Sequence, residues 1–513
     1  MSNTKKGKVY VVGAGCGDFE LLTLKGKRCI EEADCIIYDR LINKRILNFA
    51  KKGTEFIYFG KENTEGGVIQ EEINNKIVEK ALEGKIVVRL KGGDSFVFGR
   101  GGEEIEKLAK KNIPFEIIPG ITSAIAVPEY AGIPVTHRGV SKSFHVFTGM
   151  TAKENEFHDF KSIANLEGTL VFLMGMKNLS LITNELVKYG KNKKTPVAII
   201  EKGTTGNQRV IMGTLENISQ KSIEEKAVPP AVVVIGDVVE KREKFNWFEK
   251  KELFGKNILV TRDETQGEIF CEKLEMLGGN PELLSFLKIE DKMMNFDYSI
   301  LKNYKAILFN SPNGIRFFFE HIKDIRILGN IKIGVVGSKT KEELEKMKIK
   351  ADVMPKEYLT ENLAKEILKI TEEGDKILVI TSDISPCDYE KWSREYKRNF
   401  EKVIGYKTKF NLKSKKEVEK SLENIEYITF LSSSAVKSFV ESLEGDISSL
   451  KNLKVVSIGP STTKTLKNFK INIFSEALDY TADGIIEVLK NNIFCEKCLK
   501  IFYKKSILWL KTK

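Results

Sequence analysis

Short apolar runs recur along the chain. Most break at glycine or proline, one at an acid, and stretches in which apolar residues return every three or four positions follow them. Lys8-Val-Tyr-Val-Val-Gly13, Asp34-Cys-Ile-Ile-Tyr-Asp39, Lys85 to Leu90, Phe115-Glu-Ile-Ile-Pro, Thr169-Leu-Val-Phe-Leu and Pro196-Val-Ala-Ile-Ile predict strands. Periodic stretches from Glu20 and from Glu103 to Lys110 predict helices between them. This alternation predicts α/β layers, in which ligands lie beyond the carboxyl ends of the strands.

The run ending at Leu90 stops abruptly at Gly92-Gly93-Asp94, inside Arg89-Leu-Lys-Gly-Gly-Asp-Ser-Phe-Val-Phe-Gly-Arg-Gly-Gly-Glu103. Glycines at a strand end let a ligand approach bare backbone, because no Cβ intervenes. Asp94 is expected there to face hydroxyls or a cation. The other reading is a tight turn with a solvated acid. Near the N-terminus, Gly13-Ala-Gly15-Cys-Gly17-Asp18 approximates a dinucleotide fingerprint, with Asp39 as the acid after the second strand. The third glycine of that fingerprint is missing, since position 18 is Asp. An NAD(P)-dependent oxidoreductase in the first half, beside a non-catalytic ligand-binding second half, is therefore the alternative reading.

The charged stretch Lys241 to Glu252 ends this first pattern, and a new strand starts at Lys256. The second half repeats itself. Ala306-Ile-Leu-Phe-Asn-Ser311-Pro-Asn returns as Tyr427-Ile-Thr-Phe-Leu-Ser432-Ser-Ser, and Ile333-Gly-Val-Val-Gly337-Ser-Lys-Thr340 returns as Val455-Val-Ser-Ile-Gly459-Pro-Ser-Thr462. Two lobes of one design are expected, each with hydroxyl and amide side chains on strand-to-helix turns. Free backbone N–H groups at such turns bind anions. The candidate ligand contacts are Ser311, Asn313, Ser432, Ser434 and Thr462.

Composition narrows the class. The chain has 513 residues, 42% hydrophobic and 30% charged, as in ordinary globular proteins. No apolar run approaches the ~18 residues of a membrane span, no signal peptide is evident, and seven cysteines are too sparse for a disulfide framework. A cytoplasmic protein with no membrane partner is expected. The net charge of +12 comes from lysines scattered along helices. With no zinc-finger, RRM or homeodomain pattern, no nucleic-acid partner is expected. The tail from 491 to 513 holds Cys495-Glu-Lys-Cys498, two ligands where structural zinc takes four, so no metal is expected.

Five motifs in order carry a resemblance over about residues 7 to 245: Val12-Gly-Ala-Gly-x-Gly-Asp-x-Glu-Leu-Leu-Thr-Leu-Lys25, Tyr38-Asp-Arg-Leu41, the Arg89 stretch, Pro119-Gly-Ile-Thr-Ser123 and Gly203-Thr-Thr. They resemble the uroporphyrinogen-III C-methyltransferases of the tetrapyrrole methylase family. The resemblance implies two α/β lobes with S-adenosylmethionine between them, contacting Cys16, Gly92, Gly93, Asp94, Val97, Thr122, Ser123, Met174 and Gly203. It implies Asp39 as proton acceptor, Lys61 as donor or substrate-carboxylate holder, and a homodimer through this half. Cys16 and Ser95 stand where the family usually has proline.

The second half resembles uroporphyrinogen-III synthase over about residues 255 to 490, through Thr261-Arg262, Asn310-Ser-Pro-Asn, Tyr406-Lys-Thr408, Ser432-Ser-Ser-Ala-Val, Ile458-Gly-Pro460 and Tyr480-Thr481. That implies two flavodoxin-like lobes joined by extended segments, Leu283 to Glu290 and Val403 to Phe410, with Tyr406 near the cleft as a group that assists loss of the hydroxyl. The expected architecture is thus α/β throughout: a two-lobed tetrapyrrole methylase domain at 7–250, a two-lobed flavodoxin-like synthase domain at 255–490, and an unassigned basic tail at 491–513. The implied substrates are hydroxymethylbilane and uroporphyrinogen III, and the product is precorrin-2. The implied pathway is sirohaem or cobalamin biosynthesis.

Overall fold

The computed structural model describes residues 7–60, 66–150, 158–357, 359–383, 385 and 387–491. Lys61 and the Cys495/Cys498 pair lie outside them. The chain divides into two compact units. The first runs to Asn257 and includes Lys273–Pro281; the second holds Ile258–Glu272 and Glu282–Val488.

In the first unit, β1 (Lys8–Gly13), β2 (Cys35–Tyr38), β3 (Glu55–Tyr58), β4 (Ile86–Lys91) and β5 (Phe115–Ile118) form one sheet in the order β3-β2-β4-β1-β5. All of its pairings are parallel. Its central strands are buried on both faces, as near-continuous Val and Ile runs dictate. Val9, Val11 and Val87 pack on one side; Val12, Val88 and Leu90 pack on the other. Each such side chain contributes about 1.5–3 kcal/mol.

The second sheet of this unit combines β6 (Phe144–Thr148), β7 (Thr169–Leu173), β8 (Pro196–Glu201), β9 (Arg209–Thr214) and β10 (Ala231–Ile235) in the order β6-β7-β10-β8-β9. It is mixed: only β6 and β7 run parallel, and β10 is antiparallel to both of its neighbours. β8 and β9 form an antiparallel pair around Lys202 to Gln208. The strand–helix alternation expected from the sequence is broken here, because β9 follows β8 with no helix between.

In the second unit, β11 (Asn257–Val260) and β12 (Asn280–Leu283), counted there from Ile258 and Glu282 on, join strands from the far end of the chain. Between them in sequence lie β13 (Leu287–Asp291), β14 (Ala306–Phe309), β15 (Lys332–Val335), β16 (Lys376–Ser382) and β17 (Asn399–Phe410). After these come β18 (Tyr427–Phe430), β19 (Lys454–Ser457) and β20 (Ser475–Glu476). The sheets are ordered β12-β11-β18-β19-β20 and β13-β17-β16-β14-β15. The first lobe is therefore discontinuous in sequence. The two extended segments pair with each other, Leu287 to Asp291 running antiparallel to Phe410 to Tyr406. The register of β16 with β17 shifts between Ile404 and Tyr406. That bulge at Gly405 turns Tyr406 toward β14's helix.

Candidate active sites

Three loops meet at the carboxyl edge of the first sheet. Gly15 and Gly93 bond each other's backbones, N to O at 3.2 and 2.6 Å. A Cβ on Gly120 would stand 2.3 Å from the Gly93 carbonyl, so only glycine allows this approach. Asp94 locks the arrangement. One of its oxygens accepts from the Phe96 N–H at 2.8 Å, the other from the Gly120 N–H at 3.0 Å. The expected ligand-facing carboxylate is thus turned to backbone, and Asp94 is not among the residues lining the cavity described next. Thr122 likewise caps the helix Ser123–Tyr130, accepting from the Ala124 N–H at 3.3 Å, and does not line that cavity.

The cavity has a volume of about 1050 Å³ and lies between the two sheets of the first unit. Cys16, Asp39, Gly92, Gly93, Val97, Ser123, Met174 and Gly203 all line it. Six separated segments supply them. The far wall comes from the ends of β7 and β8, where Met174 adopts φ 55 and Gly203 sits so close to Val127 that a Cβ would lie 2.4 Å from it. The Thr204 hydroxyl donates to the Cys16 carbonyl and accepts from the Asp18 N–H at 3.1 Å, fastening β8's loop to β1's. Burial pushes the Cys16 thiol up to about 12, so it stays protonated.

Beneath Asp39 lies a cluster of charge that the sequence reading did not pick out as a site. Arg89 donates from Nε to Glu104 at 3.1 Å and from Nη2 to Asp39 at 3.4 Å; Lys91 donates to the same Glu104 oxygen at 2.7 Å, and Gln70 at 3.2 Å. Arg89, Lys91 and Glu104 are 2%, 4% and 1% exposed, so these charges are deep enough to require one another. Burial, with Arg89 beside it, holds Lys91 below the usual lysine range. The second Glu104 oxygen has no hydrogen-bond partner among the described residues. The signal was present in the sequence: Arg89 and Lys91 alternate inside an apolar strand, and Glu104 stands four residues before Leu108 on a helix's buried stripe.

In the second unit, Ser311 and Ser432 cap equivalent helices, accepting from the Gly314 N–H at 3.2 Å and the Ala435 N–H at 3.1 Å. Asn313 and Ser434 are half-buried on the same turns. Thr462 does not share that position. It is 3% exposed, on the buried side of the helix Pro460–Asn468, so the expected ligand contact faces the core. The Tyr406 phenol is also buried and donates to the Ser311 Oγ at 2.8 Å. Burial raises its pKa. Its hydroxyl is thus committed to Ser311 rather than free for a leaving group.

Residues 8–219 match the Tetrapyrrole (Corrin/Porphyrin) Methylases and residues 270–487 match Uroporphyrinogen-III synthase HemD. A porphyrin biosynthesis protein HemD from Ruminiclostridium josui is 38% identical over 505 residues, covering 95% of this chain and 99% of that one. A uroporphyrinogen-III C-methyltransferase from Methanocaldococcus jannaschii is 58% identical over 234 residues, 45% of this chain and 97% of its own length. Among solved structures, a uroporphyrin-III C-methyl transferase from Thermus thermophilus complexed with S-adenyl homocysteine is similar. It is 38% identical, covering 45% of this chain and 93% of that one, with a TM-score of 0.40. The chain belongs to the tetrapyrrole methylases, fused to a HemD-type uroporphyrinogen-III synthase.

This tetrapyrrole methylase–synthase fusion is a bifunctional enzyme of tetrapyrrole biosynthesis, a methyltransferase in its first half and a synthase in its second. The oxidoreductase alternative falls with that assignment. In the methylase half, the cavity gathers eight of the residues singled out by sequence, and the buried Arg89–Glu104–Lys91 cluster underlies it. Among the described residues, no helix is long and apolar enough to cross a membrane.

Proposed function

We propose that the synthase half closes hydroxymethylbilane to uroporphyrinogen III, and that the methylase half then transfers two methyl groups to it from S-adenosylmethionine, giving precorrin-2. The observation that carries this reading is the convergence of Cys16, Asp39, Gly92, Gly93, Val97, Ser123, Met174 and Gly203 on one cavity. Its volume of about 1050 Å³ is at the top of the range for small-molecule sites. A Cβ on Gly93 would meet nothing closer than the Ser123 N at 3.8 Å, so bare backbone is offered to a ligand there. These features fit S-adenosylmethionine, whose sulfonium supplies an already electrophilic methyl group.

No strong base is needed for attack by a pyrrole carbon, so the residues act mainly by positioning. The β1 and β4 loops and the Met174 and Gly203 turns hold the donor. Asp39 faces the cavity and is held by Arg89 at 3.4 Å and by the Leu41 N–H at 3.3 Å. It stabilises the cationic ring formed after attack and accepts its proton. Lys61 holds a substrate carboxylate. In the synthase half, Ser311, Asn313, Ser432 and Ser434 present helix-start N–H groups to substrate carboxylates, and Tyr406 steadies the Ser311 turn. The full chain supplied with uroporphyrinogen III and S-adenosylmethionine should yield a product heavier by two methyl groups in mass spectrometry. An unchanged mass in the presence of bound donor would overturn the reading.

A further inference from the structure

We propose that Asp291, Glu320 and His321, in the second unit, form a site for one divalent transition-metal ion of the zinc class, with water completing its coordination. One donor atom from each residue lies within 4.8 Å of the other two, the one such trio among the described residues. A tetrahedral zinc with bonds of about 2.0–2.2 Å sets its ligand atoms ~3.4 Å apart, which small side-chain rotations reach from here.

Two of the three ligands stand on fixed backbone. Asp291 ends β13, whose register with β17 sets it opposite Tyr406. One of its carboxylate oxygens accepts from the N–H of Met293 at 2.7 Å, and Met293 is wholly buried. The other oxygen is 2.5 Å from His321 Nε2. His321 directly follows the helix Pro312–Glu320, which is anchored by the buried Phe317, Phe318 and Phe319. Glu320 is the last residue of that helix.

The electrostatics call for a cation. Two carboxylates share this spot with a helix C-terminus, which carries partial negative charge of its own. Among the described residues, neither carboxylate has a lysine or arginine ion-pair partner, in a chain with a net charge of +12. The neighbouring Lys292 and Lys409 are engaged by Glu290, at 3.4 and 3.1 Å. Among the described residues His321 is the one basic group paired with them, and an ion bound at its Nε2 would take the place of the hydrogen bond to Asp291. The donor set of one imidazole and two carboxylates suits zinc-class ions better than magnesium, which prefers all-oxygen octahedra.

The site is structural rather than catalytic. A helix of nine residues is about 13 Å long, so the ion would sit at the end opposite Ser311. It would clamp that helix to β13, and so to the strand pair β13–β17 that carries Tyr406.

Calorimetric titration of the metal-free full chain tests this. Cys495→Ser and Cys498→Ser are introduced throughout, so that tail thiolates contribute nothing. Zinc chloride should bind at one ion per chain and raise the melting midpoint, and magnesium chloride should bind far more weakly. His321→Gln and Glu320→Gln should each weaken zinc at least tenfold and abolish the melting shift. Glu320 is exposed, so its variant decides the matter even where His321→Gln is poorly folded. Zinc affinity unchanged in Glu320→Gln and His321→Gln, or no zinc binding by the parent, would overturn the site.

Discussion

At the scale of single residues, the first half depends on groups that hold their charge state. Asp39→Asn keeps the shape and removes the charge beside Arg89. Methyl transfer should fall by about 10²–10⁴-fold while S-adenosylmethionine still binds. Equal turnover in steady-state assays would reduce Asp39 to a turn residue. Cys16 invites the opposite experiment. Its thiol is raised from 9.0 to about 12 by burial, so at pH 8 it should carry roughly a thousandfold less thiolate than a free cysteine and resist iodoacetamide accordingly. The sign follows for stability: the folded chain holds this proton more tightly, so the contribution is complete below pH 9 and lost as pH rises towards 12. Rapid labelling of Cys16 at pH 8, read by peptide mass, would contradict this. Asp94 shows where residue-level reading ends. Its type and place at a strand end were legible. Its partner, the Gly120 N–H, lies 26 positions away and follows only from how two loops stack.

Secondary elements were legible in proportion to how local their cause is. The parallel strands β1, β2, β4 and β5 are apolar runs that glycine, proline or an acid terminates, and they stand where the pattern put them. The antiparallel pairing of β8 with β9 was not legible, because nothing local distinguishes a buried strand's neighbour. The repeat in the second half correctly paired Ser311 with Ser432 as helix caps. It misplaced Thr462, since a repeat conveys position along a helix but not which side faces the core. Arg89, Lys91 and Glu104 join one strand to one helix through opposite charges, all three side chains being nearly fully buried. Glu104→Gln leaves the buried Lys91 without its anion and Arg89 with Asp39 alone, and should cost about 3–5 kcal/mol in urea unfolding of the first half. A loss below about 1 kcal/mol would mean that the cluster is hydrated. Tyr406→Phe removes one hydrogen bond between β17 and the Ser311 turn. It should cost about 1 kcal/mol and leave the type III yield within about tenfold of the parent. A loss of several hundredfold would put the phenol at the reacting hydroxyl.

At the scale of the whole molecule, two enzyme families share one chain, and in the proposed order the product of the second half is the substrate of the first. The two families were legible because each half carries its own run of motifs. The inclusion of Lys273–Pro281 in the first unit was not, since it depends on packing between residues distant in sequence. The most direct measurement supplies the full chain with hydroxymethylbilane and follows the products by chromatography and mass spectrometry, with and without S-adenosylmethionine. Without the donor, uroporphyrinogen of the type III series should accumulate. With it, that species should give way to one bearing two added methyl groups. Accumulation of the type I isomer would contradict the synthase half, and a type III product that never gains methyl groups would contradict the methylase half.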